Sequence, residues 1–259
     1  LDLESVRWSP DSRYLIFHEN FFQFFVDPDI WLWDTQTGEL RDLTNDGQER
    51  LSLSENTWKN IDVTPDWLPD GRILFLRYNR INGNNLPPDV YTIEPDRSGL
   101  TKLGALLSSD PIAIYGISVA GDKLVYNYQP AGDSIFRGIW MSNLDGSDAE
   151  MIASTDREHP ISGVEASADG RYAMMLTQPI QFNRRLPEDS WVWVASVESG
   201  EITLVDPDRY VVGAGWSPTG SALAYIVNNR ENPDDNGLYV TGAPGEAGHL
   251  LLAGDFNLP

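Results

Sequence analysis

A polar turn followed by a short apolar run recurs five times along the chain. The copies are WSPDSRYLIF from Trp8, WLPDGRILFL from Trp67, SVAGDKLVYN from Ser118, ASADGRYAMML from Ala166 and WSPTGSALAY from Trp216. They lie about fifty residues apart, a period that indicates a repeat architecture. Val, Ile and aromatic residues dominate the apolar runs, and Pro and Asp-Gly punctuate the turns. Each copy therefore begins with two short strands joined by a tight turn.

Two further elements follow in every copy and in the same order. The first is an aromatic-rich run: DIWLWD, DVYTIE, GIWMSN, SWVWVA and GLYVTG, beginning at Asp29, Asp89, Gly138, Ser190 and Gly237. The second is a Gly turn that leads to a last apolar run: TGELRDL, SGLTKL, DGSDAEMI, SGEITLV and GEAGHLLL, beginning at Thr37, Ser98, Asp145, Ser199 and Gly245. Alternation along these runs favours strands over helices.

Four short strands per copy cannot bury two apolar faces unless the copies stack against each other. Stacked four-stranded units of about fifty residues predict an all-β protein, a β-propeller of four-stranded antiparallel blades. We expect one propeller domain over residues 1–259, with copies at roughly 1–52, 53–108, 109–157, 158–207 and 208–254.

The copies resemble the repeats of TolB-like propellers (WD40-like Pro-Asp repeats), whose blades carry W-S-P-D-G-[RK] and then D-[IL]-[WY]-x-x-D. The first, second and fifth copies match well, whereas Ser118 and Ala166 replace the Trp in the third and fourth copies. TolB-like propellers usually have six blades. The resemblance therefore leaves two alternatives: five copies form the whole propeller, or the chain is truncated from six and residues 255–259 start a further blade.

Charge and composition narrow the classes of partner. The formal net charge is −21 at pH 7, which argues against nucleic acid and anionic membrane surfaces as partners. The sequence contains no run of 18 apolar residues, so we expect no membrane insertion. The chain has no Cys, so disulfides, thiolate zinc sites and Cys nucleophiles are excluded. We expect no cofactor and no metal.

Motifs for catalysis are weak. Gly116–Ala120 approximates the serine-peptidase motif G-x-S-x-G but ends in Ala and falls within a predicted strand. Asn232, Asp234 and Asn236 begin a calcium-loop pattern, but Ala243 stands where its Glu is required. If the protein is an enzyme, Asp62 and Glu165 are the candidate catalytic residues, because both fall in the predicted innermost strands, where paired carboxylates act in glycoside hydrolysis.

The long connections between strands carry the most distinctive residues. Eight of the 18 basic residues are Arg in these connections: Arg50, Arg80, Arg137, Arg157, Arg184, Arg185, Arg209 and Arg230. Guanidinium groups bind carboxylates in a bidentate fork, so this Arg rim suits an anionic partner or merely neutralises neighbouring acids. The first connection contains Phe21, Phe22, Phe24 and Phe25. Four Phe side chains cannot all face inward from one extended segment, so they predict either an added hairpin or an apolar contact surface.

These features predict a non-enzymatic scaffold that binds a protein or peptide through the Phe cluster and the Arg rim. The partner-binding candidates are Phe21, Phe22, Phe24, Phe25, Arg80, Arg137, Arg184, Arg185 and Arg230. The alternatives are a carbohydrate-active hydrolase with channel carboxylates, or the non-catalytic propeller of a prolyl-oligopeptidase-like serine peptidase. The resemblance, with the lack of Cys, implies a periplasmic or extracellular bacterial protein.

Overall fold

A computed structural model describes residues 3–19, 28–46, 57–106, 114–128, 138–154, 161–177, 190–229 and 232–256 of the chain. The chain forms two compact units. The first comprises Leu1–Leu124 with Ser142–Ala149, and the second comprises Val125–Met141 with Glu150–Pro259. The boundary falls within the third of five sheets, and each unit is described by itself below.

The described residues form five sheets whose strands follow one another in chain order. The first sheet contains β1 (Leu3–Trp8), β2 (Tyr14–Glu19), β3 (Ile30–Asp34) and β4 (Leu40–Asp42). The second contains β5 (Trp58–Trp67), β6 (Ile73–Ile81), β8 (Asp89–Ile93) and β9 (Thr101–Ala105), and β7 (Asn84–Asn85) pairs with the end of β6.

The remaining sheets repeat this arrangement. The third contains β10 (Ile114–Ala120), β11 (Lys123–Tyr128), β12 (Gly138–Asn143) and β13 (Glu150–Ser154). The fourth contains β14 (Ile161–Ala166), β15 (Tyr172–Thr177), β16 (Val192–Ser196) and β17 (Ile202–Leu204). The fifth contains β18 (Val211–Trp216), β19 (Leu223–Val227), β20 (Gly237–Thr241) and β21 (His249–Ala253).

The prediction of an all-β protein built from four-stranded antiparallel sheets is confirmed, and each sheet lies within one predicted copy. In the described part of the chain, the only helical element is a 3-10 turn at Pro233–Asp235. One feature was not predicted: β6 continues to Ile81 and turns back through Asn82 and Gly83, both with positive φ, into β7.

The tight turn between the first two strands is fixed by its own Ser and Asp. In the first sheet, Ser9 Oγ donates a hydrogen bond to Asp11 Oδ1 (2.6 Å) and accepts one from the Tyr14 amide (2.8 Å). In the fourth sheet, Ser167 and Asp169 make the same contact at 2.7 Å. These side chains satisfy backbone groups that the turn leaves unpaired.

The Trp before this turn joins neighbouring sheets within each unit. Trp67 stacks on Tyr14 in the first unit, and its indole Nε1 donates to the Arg7 carbonyl (3.5 Å). Trp216 stacks on Tyr172 in the second unit, and its Nε1 donates to the Glu165 carbonyl (3.0 Å). The repeated Trp thus contacts the first strand of the preceding sheet.

Each unit has an apolar core between its sheets. The buried core of the first unit contains Ile16, Ile30, Leu32, Leu43, Trp67, Ile73, Phe75 and Ile93. The buried core of the second unit contains Met174, Val192, Val194, Val205, Val211, Leu223, Tyr225, Val227 and Tyr239. Burial of both sheet faces explains why β6 begins with four consecutive buried apolar residues, Ile73 to Leu76.

Candidate functional site

The strand order separates two ends in each sheet. Strands alternate in direction, so the connection between the second and third strands lies at the same end as the connections to neighbouring sheets. We call this the long-loop end, and we call the opposite end, which holds the turns within the other strand pairs, the tight-turn end. The strands on either side of residues 20–27 and of residues 178–189 are second and third strands, and they end and begin at the long-loop end.

Most of the predicted binding residues lie outside the described residues. These are Phe21, Phe22, Phe24, Phe25, Arg137, Arg184, Arg185 and Arg230, together with Arg50 and Arg157 of the Arg rim. Arg80, Arg209, Asp62 and Glu165 are described. The contribution of the undescribed residues to binding stays a prediction from sequence.

Asp62 forms a buried ion pair with Arg77. The two residues are direct neighbours across β5 and β6. Arg77 Nε donates to Asp62 Oδ1 at 2.7 Å, and Arg77 Nη2 donates to Oδ2 at 2.6 Å. Burial raises the pKa of Asp62 to about 6, and the hydrogen bonds from Arg77 oppose this rise. Arg77 also lies over the Tyr91 ring, 4.8 Å from its centroid.

Polar groups of the first sheet surround this pair near the long-loop end. The Asp62 amide donates to the Pro28 carbonyl at 3.1 Å. Buried Thr44 donates to Asp29 at 3.0 Å, and it also lowers the pKa of Asp62 by hydrogen bonding. Asp46 accepts a hydrogen bond from the Asn60 side chain at 2.7 Å. Asp62 is therefore embedded in a network that joins two sheets of the first unit.

Glu165, the second candidate catalytic carboxylate, lies in the other unit. It occupies β14, pairs with Met174 across to β15 and is half-buried. Its backbone carbonyl accepts the hydrogen bond from Trp216 described above. Both acids occupy the first strand of their sheets, and in Asp62 both carboxylate oxygens accept hydrogen bonds from a guanidinium.

Arg209 of the Arg rim is bound within the second unit. Its Nη1 donates to Asp206 Oδ2 at 2.8 Å, and its guanidinium lies 4.6 Å from the Tyr239 ring centroid. Asp206 also accepts hydrogen bonds from Tyr225 Oη and from the Asp208 amide. Burial disfavours the Asp206 charge, but the hydrogen bonds from Tyr225, the Asp208 amide and Arg209 lower its pKa overall.

The weaker motifs have ordinary structural surroundings. Gly116–Ala120 lies within β10, so no helix follows the Ser as a nucleophile elbow requires. Buried Asn236 of the calcium-like pattern donates to Asp255 at 2.6 Å and accepts from the Asn229 amide at 2.6 Å. Among the described residues, no three His, Asp or Glu side chains group in a way that could hold a metal ion. No helix in the same part of the chain is long and apolar enough to cross a membrane.

Comparison with known proteins identifies the fold class. The chain matches no family model, and no curated protein sequence resembles it significantly. Solved structures do resemble it. A putative TolB from Agrobacterium tumefaciens has a TM-score of 0.53 and 17% identity, covering 96% of this chain and 79% of that protein. These values, with the five sheets, define a TolB-like β-propeller fold.

Two other kinds of protein share this fold. An oligogalacturonate lyase in complex with manganese has a TM-score of 0.56 and 12% identity, over 92% of this chain and 62% of the lyase. An acylaminoacyl peptidase from Pyrococcus horikoshii has a TM-score of 0.54 and 14% identity, over 98% of this chain but 39% of the peptidase. The chain thus spans less than two thirds of each of these two proteins. At such identities the similarity shows the fold alone.

Proposed function

We propose that this chain is a non-enzymatic propeller that binds a protein or peptide at the long-loop end of its sheets. The observation that carries the proposal is the unequal length of the connections. At the tight-turn end, five residues, as in Ser9–Arg13 and Thr35–Glu39, suffice to join strands. The connections at 20–27 and 178–189 are longer than the sheets require, and such loops usually carry binding residues.

The residue types in these connections suit a peptide with carboxylates. The Phe cluster supplies apolar contact area, and Arg137, Arg184, Arg185 and Arg230 supply bidentate donors on an otherwise acidic chain. An apolar centre with a charged rim is the usual composition of a protein interface. We also assign the protein to the periplasm or the cell exterior, as the TolB-like fold suggests.

The geometry of Asp62 gives less support to a hydrolase. A general acid or base must be able to exchange its proton with substrate. Both oxygens of Asp62 are occupied by Arg77, and its side chain is 0% exposed. We therefore assign Asp62 a structural role rather than a catalytic one. In the peptidase alternative, the catalytic residues would belong to a domain outside this chain.

The test is peptide selection followed by charge reversal. A random peptide library is panned against the wild-type chain, and the affinity of each selected peptide is measured by calorimetry. We expect Arg184→Glu/Arg185→Glu to weaken binding at least about tenfold, since two charge-assisted contacts are lost. The matched control is Arg72→Glu/Arg97→Glu, which reverses the same charge at the tight-turn end of the second sheet.

Three outcomes would contradict the proposal. The library yields no peptide, both double variants weaken binding equally, or neither weakens it. Equal unfolding midpoints for the two double variants establish that any difference is local. Hydrolysis of polysaccharide by the wild-type chain, abolished in a folded Asp62→Asn variant, would instead support the enzyme alternative.

A further inference from the structure

The sequence contains two Asn-Gly pairs, Asn82-Gly83 and Asn236-Gly237. Asn is among the chemically least stable residues of a protein. Its side-chain amide can react with the backbone nitrogen of the next residue, and Gly at that position has no Cβ to hinder the approach. The two pairs share this chemistry but have opposite surroundings in the structure.

Asn82 and Gly83 form the exposed turn between β6 and β7. Their φ values are +51° and +80°, as a two-residue hairpin turn requires. Asn82 is exposed, and nothing lies within 4 Å of the position that a Cβ would take on Gly83. The Asn82 backbone amide donates to Thr57 Oγ1 at 3.3 Å. Among the described residues, no hydrogen bond involves the Asn82 side chain, so its amide is free to react.

The hairpin that carries this turn is short. Two residue pairs, Arg80 with Asn85 and Ile81 with Asn84, join β7 to β6. A hairpin with so few pairs opens locally at a small cost in free energy. Opening matters, because a left-handed Asn holds the next backbone nitrogen on the side of the Cα–C bond opposite to its own Cβ. The reaction therefore proceeds from the open hairpin.

Asn236 and Gly237 are held inside the fifth sheet. Asn236 is 4% exposed. Its Nδ2 donates to Asp255 Oδ1 at 2.6 Å, and its Oδ1 accepts a hydrogen bond from the Asn229 amide at 2.6 Å. Gly237 begins β20 and pairs with residues of both β19 and β21. Both reacting groups are therefore fixed, and freeing them requires the opening of three strands.

We propose that Asn82 is a modification site at which the folded chain deamidates spontaneously, and that the fold protects Asn236 from the same reaction. The Gly83 nitrogen loses its proton to solvent base and attacks the Asn82 side-chain carbonyl carbon. The new N–C bond closes a succinimide ring, and the side-chain nitrogen leaves as ammonia. Water then opens the ring at one of its two carbonyls, which gives aspartate or isoaspartate.

The modification changes the hairpin in two ways. Both products replace a neutral amide with a carboxylate, so the long-loop end of the second sheet gains one negative charge. In isoaspartate the main chain runs through the former side chain, which adds one carbon atom to the turn. A two-residue turn has a fixed backbone geometry, so the added atom disrupts the pairing of β7 with β6.

The test is a time course of the wild-type chain at pH 8, with digestion and mass spectrometry of the peptides that contain Asn82 and Asn236. We expect Asn82 to convert at least about tenfold faster than Asn236, the ratio that about 1.4 kcal/mol of additional opening free energy produces. Asn82→Gln is the control variant. Its longer side chain would have to close a larger ring, so the variant should release less ammonia than the wild type.

The same time course at a urea concentration that unfolds the chain separates the effect of the fold from that of the sequence. Unfolding frees both Asn-Gly pairs, so Asn82 and Asn236 should then convert at similar rates. A folded chain in which Asn82 stays intact, or in which both residues convert at the same rate, would overturn the proposal. A difference between the two rates that persists unchanged in urea would also overturn it, because the fold would then not be its cause.

Discussion

Arg77 donates two parallel hydrogen bonds to Asp62, and neither side chain is more than 10% exposed. Their neighbouring positions on β5 and β6 make the pair a cross-strand contact inside the second sheet. Because both charges are out of water, each depends on the other for compensation. The pair therefore joins strands rather than presenting an acid to solvent.

Removal of the Arg77 guanidinium should destabilise the fold, because it leaves the Asp62 charge buried without a compensating charge. We expect Arg77→Met to lower the free energy of unfolding by about 3–5 kcal/mol at pH 7. The matched control is Arg72→Met, whose partner Asp70 is 55% exposed, and it should cost less than about 1 kcal/mol. Urea unfolding measures both. Equal effects of the two substitutions would mean that water reaches Asp62.

A double variant separates the ion pair from packing. Asp62→Leu/Arg77→Met removes both charges and should recover most of the stability lost in Arg77→Met, since no buried charge remains. If the double variant is less stable than Arg77→Met alone, contacts of Asp62 with groups such as the Thr44 hydroxyl outweigh the burial of its charge.

The repeat made the sheets predictable, but not the side-chain pairs. The turn residues Ser9, Asp11, Ser167 and Asp169 are local in sequence, and their pattern predicted the turns that they form. Asp62 and Arg77 are 15 residues apart, and only the register of β5 against β6 brings them together. That register includes two bulges, which the alternation of apolar residues does not reveal. The sequence therefore pointed to Asp62 as a carboxylate available for chemistry, without indicating its partner.

Asp34 should make the free energy of unfolding depend on pH in the acidic range. Arg13 holds the pKa of this carboxyl at about 2, with help from the Gln36 and Thr37 amides. An unfolded Asp has a pKa of about 3.9. The contribution of ionised Asp34 to the free energy of unfolding is therefore complete above that pH and is lost as the pH falls towards 2. We expect Asp34→Asn to be less stable than wild type at pH 6, with the difference disappearing near pH 2.

Urea midpoints between pH 2 and pH 6 test this expectation. Asp234→Asn removes one exposed carboxylate and controls for the change in net charge. A difference between wild type and Asp34→Asn that is constant with pH would show that the Asp34 interactions do not require its charge.

Tyr225 should contribute through its hydroxyl as well as its ring. The hydroxyl donates to Asp206 and accepts from the Gly248 amide at 3.0 Å, and the residue is 0% exposed. Tyr225→Phe leaves both groups without this partner and should cost about 1–3 kcal/mol. Tyr172→Phe, at a half-buried ring that stacks on Trp216, is the control and should cost less. Similar losses for the two variants would assign the stabilisation to the rings.

Asn127 stands where other copies have an apolar residue. It is the fourth residue after Lys123, as Leu76 and Met175 are after the equivalent Arg72 and Arg171. Leu76, Asn127 and Met175 are all 0% exposed. In the structure, neither the amide nitrogen nor the amide oxygen of Asn127 has a hydrogen-bond partner. A buried amide without partners costs free energy that an apolar side chain of similar size does not.

Asn127→Leu should therefore raise the free energy of unfolding by about 1–2 kcal/mol. Met175→Asn, the reciprocal change in the fourth sheet, should lower it by at least about 2 kcal/mol, because it buries an amide in an apolar site. Asn127→Ala removes the amide without filling its volume and should be less stable than Asn127→Leu. If Asn127→Leu is destabilised while Met175→Asn behaves as expected, the prediction is wrong: either the Asn127 amide has a hydrogen-bond partner in solution, or the larger Leu side chain overpacks the site.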